Sequence, residues 1–336
     1  MRRLGAGVAI AVLVLVAAAP PASAHTGKVV ATDYRSVITQ GLSVPGVRIR
    51  MIEAGGRVEL SNHASFDVVV LGYENEPYLR VGRAGAFQNR RSPAVYLNAT
   101  RTGGTTPPPD VDAKAAPQWV RLGASPVVRW HDHRTHFMGG PALPDRVTPW
   151  TVSLVVDGGL TAVHGQLVHV PGPASWPWIA VALAFAGAVV VAVRRFGARG
   201  ALLVGVALLL AADVVRVGGL SFEVVGGLHA TLAQAISVGV VDVVAWVLGV
   251  AAIVRIGARH HDGHLAAGIT GVLLANVGGV LEWGDLGKSQ LAVVTPPLVH
   301  RLCVAGVAGL GLGVAAAVLM DAARVPVKPV AKPSVR

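Results

Sequence analysis

The chain has 336 residues, of which 53% are hydrophobic and only 14% are charged, and its formal net charge is +11. This composition and a mean hydropathy of +0.57 exclude an ordinary soluble domain and indicate a membrane protein. A basic chain could bind nucleic acid, but the apolar composition argues against that class, and we expect no nucleic-acid partner. The single cysteine, Cys303, excludes an intrachain disulfide, so packing and the bilayer must stabilise the fold.

The first 24 residues have the pattern of a secretory signal peptide. Two arginines precede an apolar run, and the small-residue sequence Ala-Ser-Ala follows it. Cleavage after Ala24 would make His25 the first residue of the mature chain. The signal also predicts that the segment after it lies outside the cell.

Residues 25–170 are polar enough for a soluble domain, and their pattern is typical of β-strands. The stretch GVRIRMIEAGGRVELSNHASFDVVVLGY alternates apolar and polar residues about a Gly-Gly break. The stretch WTVSLVVDGGLTAVHGQLVHV repeats this pattern and predicts a hairpin about Asp157-Gly158-Gly159. We therefore predict an all-β extracellular sandwich, immunoglobulin-like or cupredoxin-like, over this range.

The segment VRWHDHRTHFM contains three histidines within six residues. If it is an extended strand, His131 and His133 lie on one face and could give one metal ion two imidazole ligands. A further ligand could be His136 if the strand bends, Met138, the N-terminal His25, or one of His63, His164 and His169. Asp132 could orient a ligand imidazole by a hydrogen bond, without binding the metal itself. Copper is the preferred ion, with zinc as the alternative, because imidazole suits both and methionine favours Cu(I).

Two other interpretations of this segment stay open. In the first, the histidines are a hydrogen-bonded polar cluster at a sheet edge, with Asp132 and Arg134 as an ion pair. In the second, they carry out acid–base chemistry. The sequence alone does not decide among the three.

The second half of the chain, residues 179–322, is mostly apolar and predicts a helical membrane domain of about five spans. A linker rich in proline and tryptophan, 171–178, joins it to the β domain. We place the spans at 176–193, 200–218, 228–255, 264–282 and 299–320. Arginines follow the first and third spans, and a basic tail, 323–336, follows the fifth. By the positive-inside rule, we expect a multi-pass cell-membrane protein with an extracellular N-terminal domain and a cytoplasmic C-terminus.

Several ionisable residues fall near the outer ends of these spans. His229, Glu282 and His300 could form a second metal set, with Asp213 behind them, or a proton-linked site. The alternative is that these residues lie at the membrane–water interface, where charged side chains cost little free energy. Asp213 and Arg216 would then form a local ion pair.

Two features lie deeper in the spans. Asp242 needs a partner inside the third span, and we expect Asn276 or Gln234 to supply it. The fifth span contains glycines that should let it pack closely on a neighbouring helix: Gly306, Gly309, Gly311 and Gly313.

The segments GYENEPYLR, NRRSPAVYLN and WHDHRTHFM resemble a group of actinobacterial membrane proteins. These share a signal peptide, an external β domain and a multi-span C-terminal half, and the resemblance covers nearly the whole chain without implying an activity. A looser architectural likeness is to copper-handling proteins of the CopC and CopD type. There an exported β-sandwich that begins at a metal-ligating histidine, matched here by His25, accompanies a multi-span membrane partner.

Two functions follow as hypotheses. The first is a membrane-anchored, externally facing protein that binds copper and could deliver it to a site in the membrane half. The second is a metal-free cell-envelope scaffold or sensor whose β domain binds a protein or glycan, with spans that anchor the chain or form a homo-oligomer. No nucleophile elbow, phosphate loop or dinucleotide motif is present in the sequence, so we do not predict an enzyme.

Overall fold

The structure is a computed structural model, and it describes residues 31–99, 101, 103–139, 141, 143, 145–220, 227–260, 262–291 and 293–323. For residues 227–238 only the backbone is described, as for Ala54. The proposed signal peptide and His25 lie outside the described residues, as do the side chain of His229 and residues 324–336 of the basic tail.

The chain forms two compact units, one of β-strands and one of helices. The β unit ends at Gly172 and also includes Lys288–Ala292, and the helical unit begins at Pro173. In the added segment, Gln290 forms an antiparallel bridge with Thr32. The carboxylate of Asp33 accepts hydrogen bonds from Lys288 Nζ at 2.8 Å and from the Ser289 backbone N–H at 3.0 Å. The sequence-based boundary at residue 170 did not include this second segment.

Among the described residues, ten strands, one short α-helix and a 3-10 turn, Glu53–Gly55, form the β unit. The strands are β1 (Tyr34–Gln40), β2 (Val47–Ile52), β3 (Arg57–Asn62), β4 (Val68–Leu71), β5 (Pro77–Gly82), β6 (Gly85–Asn89), β7 (Trp119–Gly123), β8 (Val127–Trp130), β9 (Val147–Val156) and β10 (Gly159–His169). The helix, α1, is Pro93–Leu97, and the Ser92 hydroxyl caps it by accepting from the Ala94 N–H.

Two antiparallel sheets share one hydrophobic core, as the sequence predicts. The larger sheet has the order β1-β10-β9-β4-β5-β6-β7, and the smaller has the order β2-β3-β8. Leu60 and Trp130 of the smaller sheet and Val70 and Leu154 of the larger one are buried in this common core. Because strand side chains alternate between faces, the apolar–polar alternation of the sequence fills the core from both sides.

The predicted hairpin about Asp157-Gly158-Gly159 is confirmed. β9 and β10 pair through a two-residue turn, Asp157-Gly158, in which both residues have positive φ, 49° and 76°. This geometry matches the twist of the strands, and glycine adopts it without strain. β2 and β3 pair across the Gly-Gly break, where Gly55 has φ 88°.

Five helical segments of the second unit are long and apolar enough to cross a membrane, which confirms the predicted number of spans. The helices are α2 (Trp176–Phe196), α3 (Ala198–Gly218), α4 (Gly227–Gly257), α5 (Asp262–Leu274) and α6 (Pro297–Ala323). The fourth segment continues from α5 through a π-helical stretch, Ala275–Val280, to a 3-10 turn, Trp283–Gly287. Helix α2 begins within the linker predicted at 171–178, because the proline at its start needs no N–H partner in the first turn.

Helix α6 packs against its neighbours through glycine, as predicted. A Cβ atom on Gly309 would lie 2.2 Å from the carbonyl oxygen of Ala182 in α2. One on Gly311 would lie 2.4 Å from the carbonyl oxygen of Gly271 in α5. Bare backbone at these positions therefore sets the spacing of the helices.

Candidate functional site

The histidine segment turns away from the sheet, so the extended-strand premise of the sequence prediction is wrong. β8 ends at Trp130, and residues 133–135 form a turn. Asp132 explains it, because its backbone carbonyl accepts from the Thr135 N–H at 2.8 Å and from Thr135 Oγ1 at 2.9 Å. Its side chain also accepts from the Arg134 N–H at 3.2 Å, which is the local pattern that favours a turn over a strand.

The turn places His136 beside the two histidines that precede it. The ring centroid of His136 lies 6.0 Å from that of His131 and 5.6 Å from that of His133. The sequence grouped His131 with His133 by strand parity, whereas in the structure His136 is the histidine near both.

Asp132 binds neighbours other than the imidazoles, which differs from its predicted orienting role. Its carboxylate is fully buried and accepts from Trp130 Nε1 at 3.0 Å and from Arg134 Nε and Nη2, both at 2.8 Å. The guanidinium of Arg134 lies over the ring of Tyr73 and donates to the carbonyl of Leu71 at 3.2 Å. This ion pair fixes the turn, as the structural interpretation of the segment expects.

Backbone carbonyls orient two of the three imidazoles instead. His131 Nδ1 lies 2.8 Å from the carbonyl oxygen of Gly56, and His136 Nε2 lies 2.7 Å from that of Arg101. A carbonyl can only accept, so each of these ring nitrogens carries a hydrogen. In the neutral form of each ring, the lone pair is therefore on the other nitrogen, which is Nε2 in His131 and Nδ1 in His136.

His136 has a buried nitrogen whose lone pair is not used within the described residues. The residue is 4% exposed, and its Nδ1 has no hydrogen-bond partner there. The pKa of His136 is lowered from 6.5 to about 4, mainly by burial and in part by the nearby charge of Arg101, against the effect of the hydrogen bond to the Arg101 carbonyl. The ring is consequently neutral at physiological pH and able to donate its lone pair.

Acidification should destabilise the metal-free β unit through His136. His136 takes up a proton near pH 6.5 in the unfolded chain and near pH 4 in the folded chain. The contribution of its neutral ring to the free energy of unfolding is therefore fully present above pH 6.5 and is lost as the pH falls toward 4. The largest possible loss is about 3 kcal/mol. Urea unfolding of the chelator-treated full-length protein, followed by β-sheet circular dichroism, should show this loss over that pH range.

The matched variants for this experiment are His136→Phe and His164→Phe. The first removes the buried titrating ring and should flatten the pH profile, whereas the second changes a partly exposed histidine of β10 and should leave the profile as it is. Equal slopes in the wild type and His136→Phe would contradict the assignment.

Two other predicted metal ligands, His133 and Met138, also lie in this segment. His133 donates its backbone N–H to Tyr73 Oη at 3.2 Å and to Asn98 Oδ1 at 3.3 Å. Met138 is half-buried two residues after His136. Among the described residues, no group of three or more His, Cys, Asp or Glu side chains has the arrangement that would hold a metal ion.

Sequence reasoning did not find the residues that support the histidines. Gly56 follows a 3-10 turn, Asn98 ends α1, and Arg101 follows it in the next loop. They come together only through the tertiary fold, and no local pattern in the sequence marks them.

A second polar cluster lies inside the helical unit, where Arg216 binds three carboxylates. Its Nε lies 2.7 Å from Asp213 Oδ1, its Nη1 2.7 Å from Glu282 Oε1 and its Nη2 2.5 Å from Asp242 Oδ1. All four side chains are buried, at most 8% exposed. The predicted local pair of Asp213 with Arg216 is confirmed. Arg216, rather than Asn276, binds Asp242, and the side chain of Gln234, the other predicted partner, lies outside the described residues.

The proposed membrane metal set is thus built around a guanidinium. His300 Nε2 lies 3.8 Å from Glu282 Oε2, so Asp213, Glu282 and His300 do come together. Their centre is the cation Arg216, which already binds one oxygen of Asp213 and one of Glu282. The backbone of residue 229 lies in α4, and its side chain lies outside the described residues.

No protein-family model, curated protein or solved structure matches this chain.

Proposed function

We propose that this protein is a membrane-anchored metal-binding protein whose β unit holds a copper ion at His131 and His136, with His133 as a third imidazole. The observation that carries the proposal is the buried Nδ1 of His136, a neutral imidazole nitrogen with no hydrogen-bond partner among the described residues. A buried polar atom of this kind costs free energy unless something binds it.

The surroundings of the two rings fit this role. Metal-binding histidines usually donate their second ring nitrogen to a carbonyl or carboxylate, and His131 and His136 both do so. Imidazole nitrogens bind at about 2.0–2.1 Å from a metal, which puts the centroids of two bound rings roughly 5–6 Å apart. The observed separations of 6.0 Å and 5.6 Å fall in or at the edge of this range.

Copper, as Cu(I), fits these surroundings better than zinc. The charge of Arg101 acts on His136, and it would oppose a divalent ion about twice as strongly as a monovalent one. The thioether of Met138, two residues away in the chain, is a soft group that favours Cu(I). His25, outside the described residues, is a further candidate ligand.

The helical unit serves as the membrane anchor in this proposal. The signal-like N-terminus and the arginines after the first and third spans support a β unit outside the cell, where it would meet external copper. We assign the ion to the β unit alone, because Asp213 and Glu282 already bind Arg216.

The test is a competition titration of the full-length protein in detergent with Cu(I) and a colorimetric chelator. Loss of an outer-shell partner weakens metal binding roughly 10–100-fold, and loss of a ligand should cost at least as much. We expect His136→Phe and His131→Ala to weaken Cu(I) binding by that factor and His164→Phe to leave it unchanged. Equal Cu(I) affinity in the wild type and His136→Phe would refute the site.

The metal-free scaffold remains the second candidate because a specific set of contacts supports it. His131 and His136 each tie the turn to a distant backbone carbonyl, and Asp132 joins Trp130 to Arg134. In that case the histidines stabilise a surface that binds a protein or glycan. His136→Phe would then lower the thermal stability of the protein and leave its copper affinity unaltered.

A further inference from the structure

The cluster around Arg216 has more negative than positive charge. If every group is ionised, three carboxylates face one guanidinium, which leaves a net charge of −2 inside a membrane-spanning unit. An uncompensated charge at low dielectric is costly, and in proteins such groups take up protons rather than remain charged. The cluster therefore needs additional positive charge.

Two of the carboxyl groups show where a proton would bind. Asp213 and Asp242 lie side by side on one edge of the guanidinium, where Arg216 Nε binds Asp213 Oδ1 at 2.7 Å and Nη2 binds Asp242 Oδ1 at 2.5 Å. A carboxylate can only accept a hydrogen bond, so two carboxyl groups can bond to each other only when one is protonated. Trp246 Nε1 donates to the remaining oxygen, Asp213 Oδ2, at 2.7 Å and holds that carboxyl in place.

We propose that the Asp213–Asp242 carboxyl pair is a proton-binding site, which makes the helical unit of this membrane protein responsive to the proton concentration. The proton lies between carboxyl groups of α3 and α4, so its release would put two negative charges in contact and push these helices apart. This inference is independent of the copper site of the β unit.

The groups that face the pair from the other elements are consistent with a proton. From α6, His300 Nε2 lies 3.8 Å from Glu282 Oε2, and Cys303 follows about one helical turn later. Arg301 donates to the carbonyl of Leu286. One proton on the pair would leave two carboxylates beside the guanidinium of Arg216, and the ring of His300 lies near the second of them, Glu282.

The π-helical stretch leaves little space for a larger ion. A Cβ atom on Gly278 would lie 2.6 Å from Asp213 Oδ1 and 2.7 Å from Arg216 Nε, so bare backbone covers the cluster. Hard cations require about six or more oxygen ligands, whereas one oxygen of each carboxyl group is already bound to Arg216. π-helical insertions are frequent at functional sites, which is consistent with a site here.

Infrared spectroscopy of the full-length protein in lipid nanodiscs tests the proposal. A protonated carboxyl group has a C=O band distinct from that of a carboxylate, and the band shifts in D2O. We expect the wild type to show it at neutral pH and to lose it on alkalinisation. Asp242→Asn should remove the band, whereas Asp321→Asn, which changes an aspartate outside the cluster that pairs with His264, should retain it.

A second readout covers the case in which a variant fails to fold. The melting temperature of the wild type should fall as pH rises from neutral to alkaline, because the pair loses its proton. Asp213→Asn or Asp242→Asn, which keep a neutral hydrogen-bonding group, should make this fall smaller. Absence of the band in the wild type at neutral pH would overturn the proposal, as would its replacement by carboxylate bands on addition of Na⁺.

Discussion

Replacing Arg216 with methionine is expected to lower the stability of the helical unit by about 3–5 kcal/mol, the usual effect of removing one partner from a buried ion pair. The guanidinium is 2% exposed and binds Asp213, Asp242 and Glu282. Without it, three buried carboxylates would face one another with no cation between them. Thermal unfolding of the full-length protein in detergent, followed by helical circular dichroism, would measure the loss.

Arg255→Met is the matched control for this prediction. Arg255 also pairs with an acidic residue, Asp262, but both side chains are more than half exposed, at 53% and 56%. Exposed ion pairs contribute about 0–1 kcal/mol, so the control should unfold close to the wild type. Similar stability of the two variants would show that the buried network does not hold the helices together.

The second large effect is expected for Gly309→Ala, a change of one methyl group. The new Cβ would lie 2.2 Å from the carbonyl oxygen of Ala182, a distance that side chains do not tolerate, and the contacting atom is backbone that cannot rotate away. Helices α2 and α6 must therefore separate. Overpacking of this kind costs about 1–3 kcal/mol or more, and the melting temperature should fall accordingly.

Gly306→Ala separates this clash from a general effect of alanine in α6. A Cβ atom on Gly306 would meet only the ring of Phe185, at an ordinary contact distance of 3.7 Å. Alanine favours the helix over glycine by up to about 1 kcal/mol, so this variant should be as stable as the wild type or more stable. If both variants destabilise the protein equally, the close contact with Ala182 does not determine helix packing.

The sequence predicts the architecture well, because periodicity and turn residues are local signals. Alternation identified the strands that fill the sandwich core, and Asp157-Gly158 identified a hairpin. Long apolar runs identified the five spans, since about 20 apolar residues are needed to cross a bilayer. The glycines of α6 were recognised for the same reason, although only the structure separates Gly309 from Gly306.

The candidate sites were less predictable because their geometry depends on tertiary contacts. The prediction that alternate residues of an extended strand share a face does not hold after Trp130. Hydrogen bonds to Asp132 bend the chain there and bring His136 next to His131. The carbonyls that orient these rings belong to distant loops. In the helical unit, Asp213 and Arg216 are recognisable as a local pair, but their contacts with α4 and the end of the fourth segment are not encoded by spacing.

X-ray absorption spectroscopy of the full-length protein loaded with one equivalent of Cu(I) tests the copper site most directly, since it identifies the atoms bound to the ion. Two or three imidazole ligands should appear in the wild type, and His136→Phe should lose one of them or fail to retain the ion. A spectrum without imidazole scattering, or one that is identical in His136→Phe, would show that copper does not bind at the histidine turn.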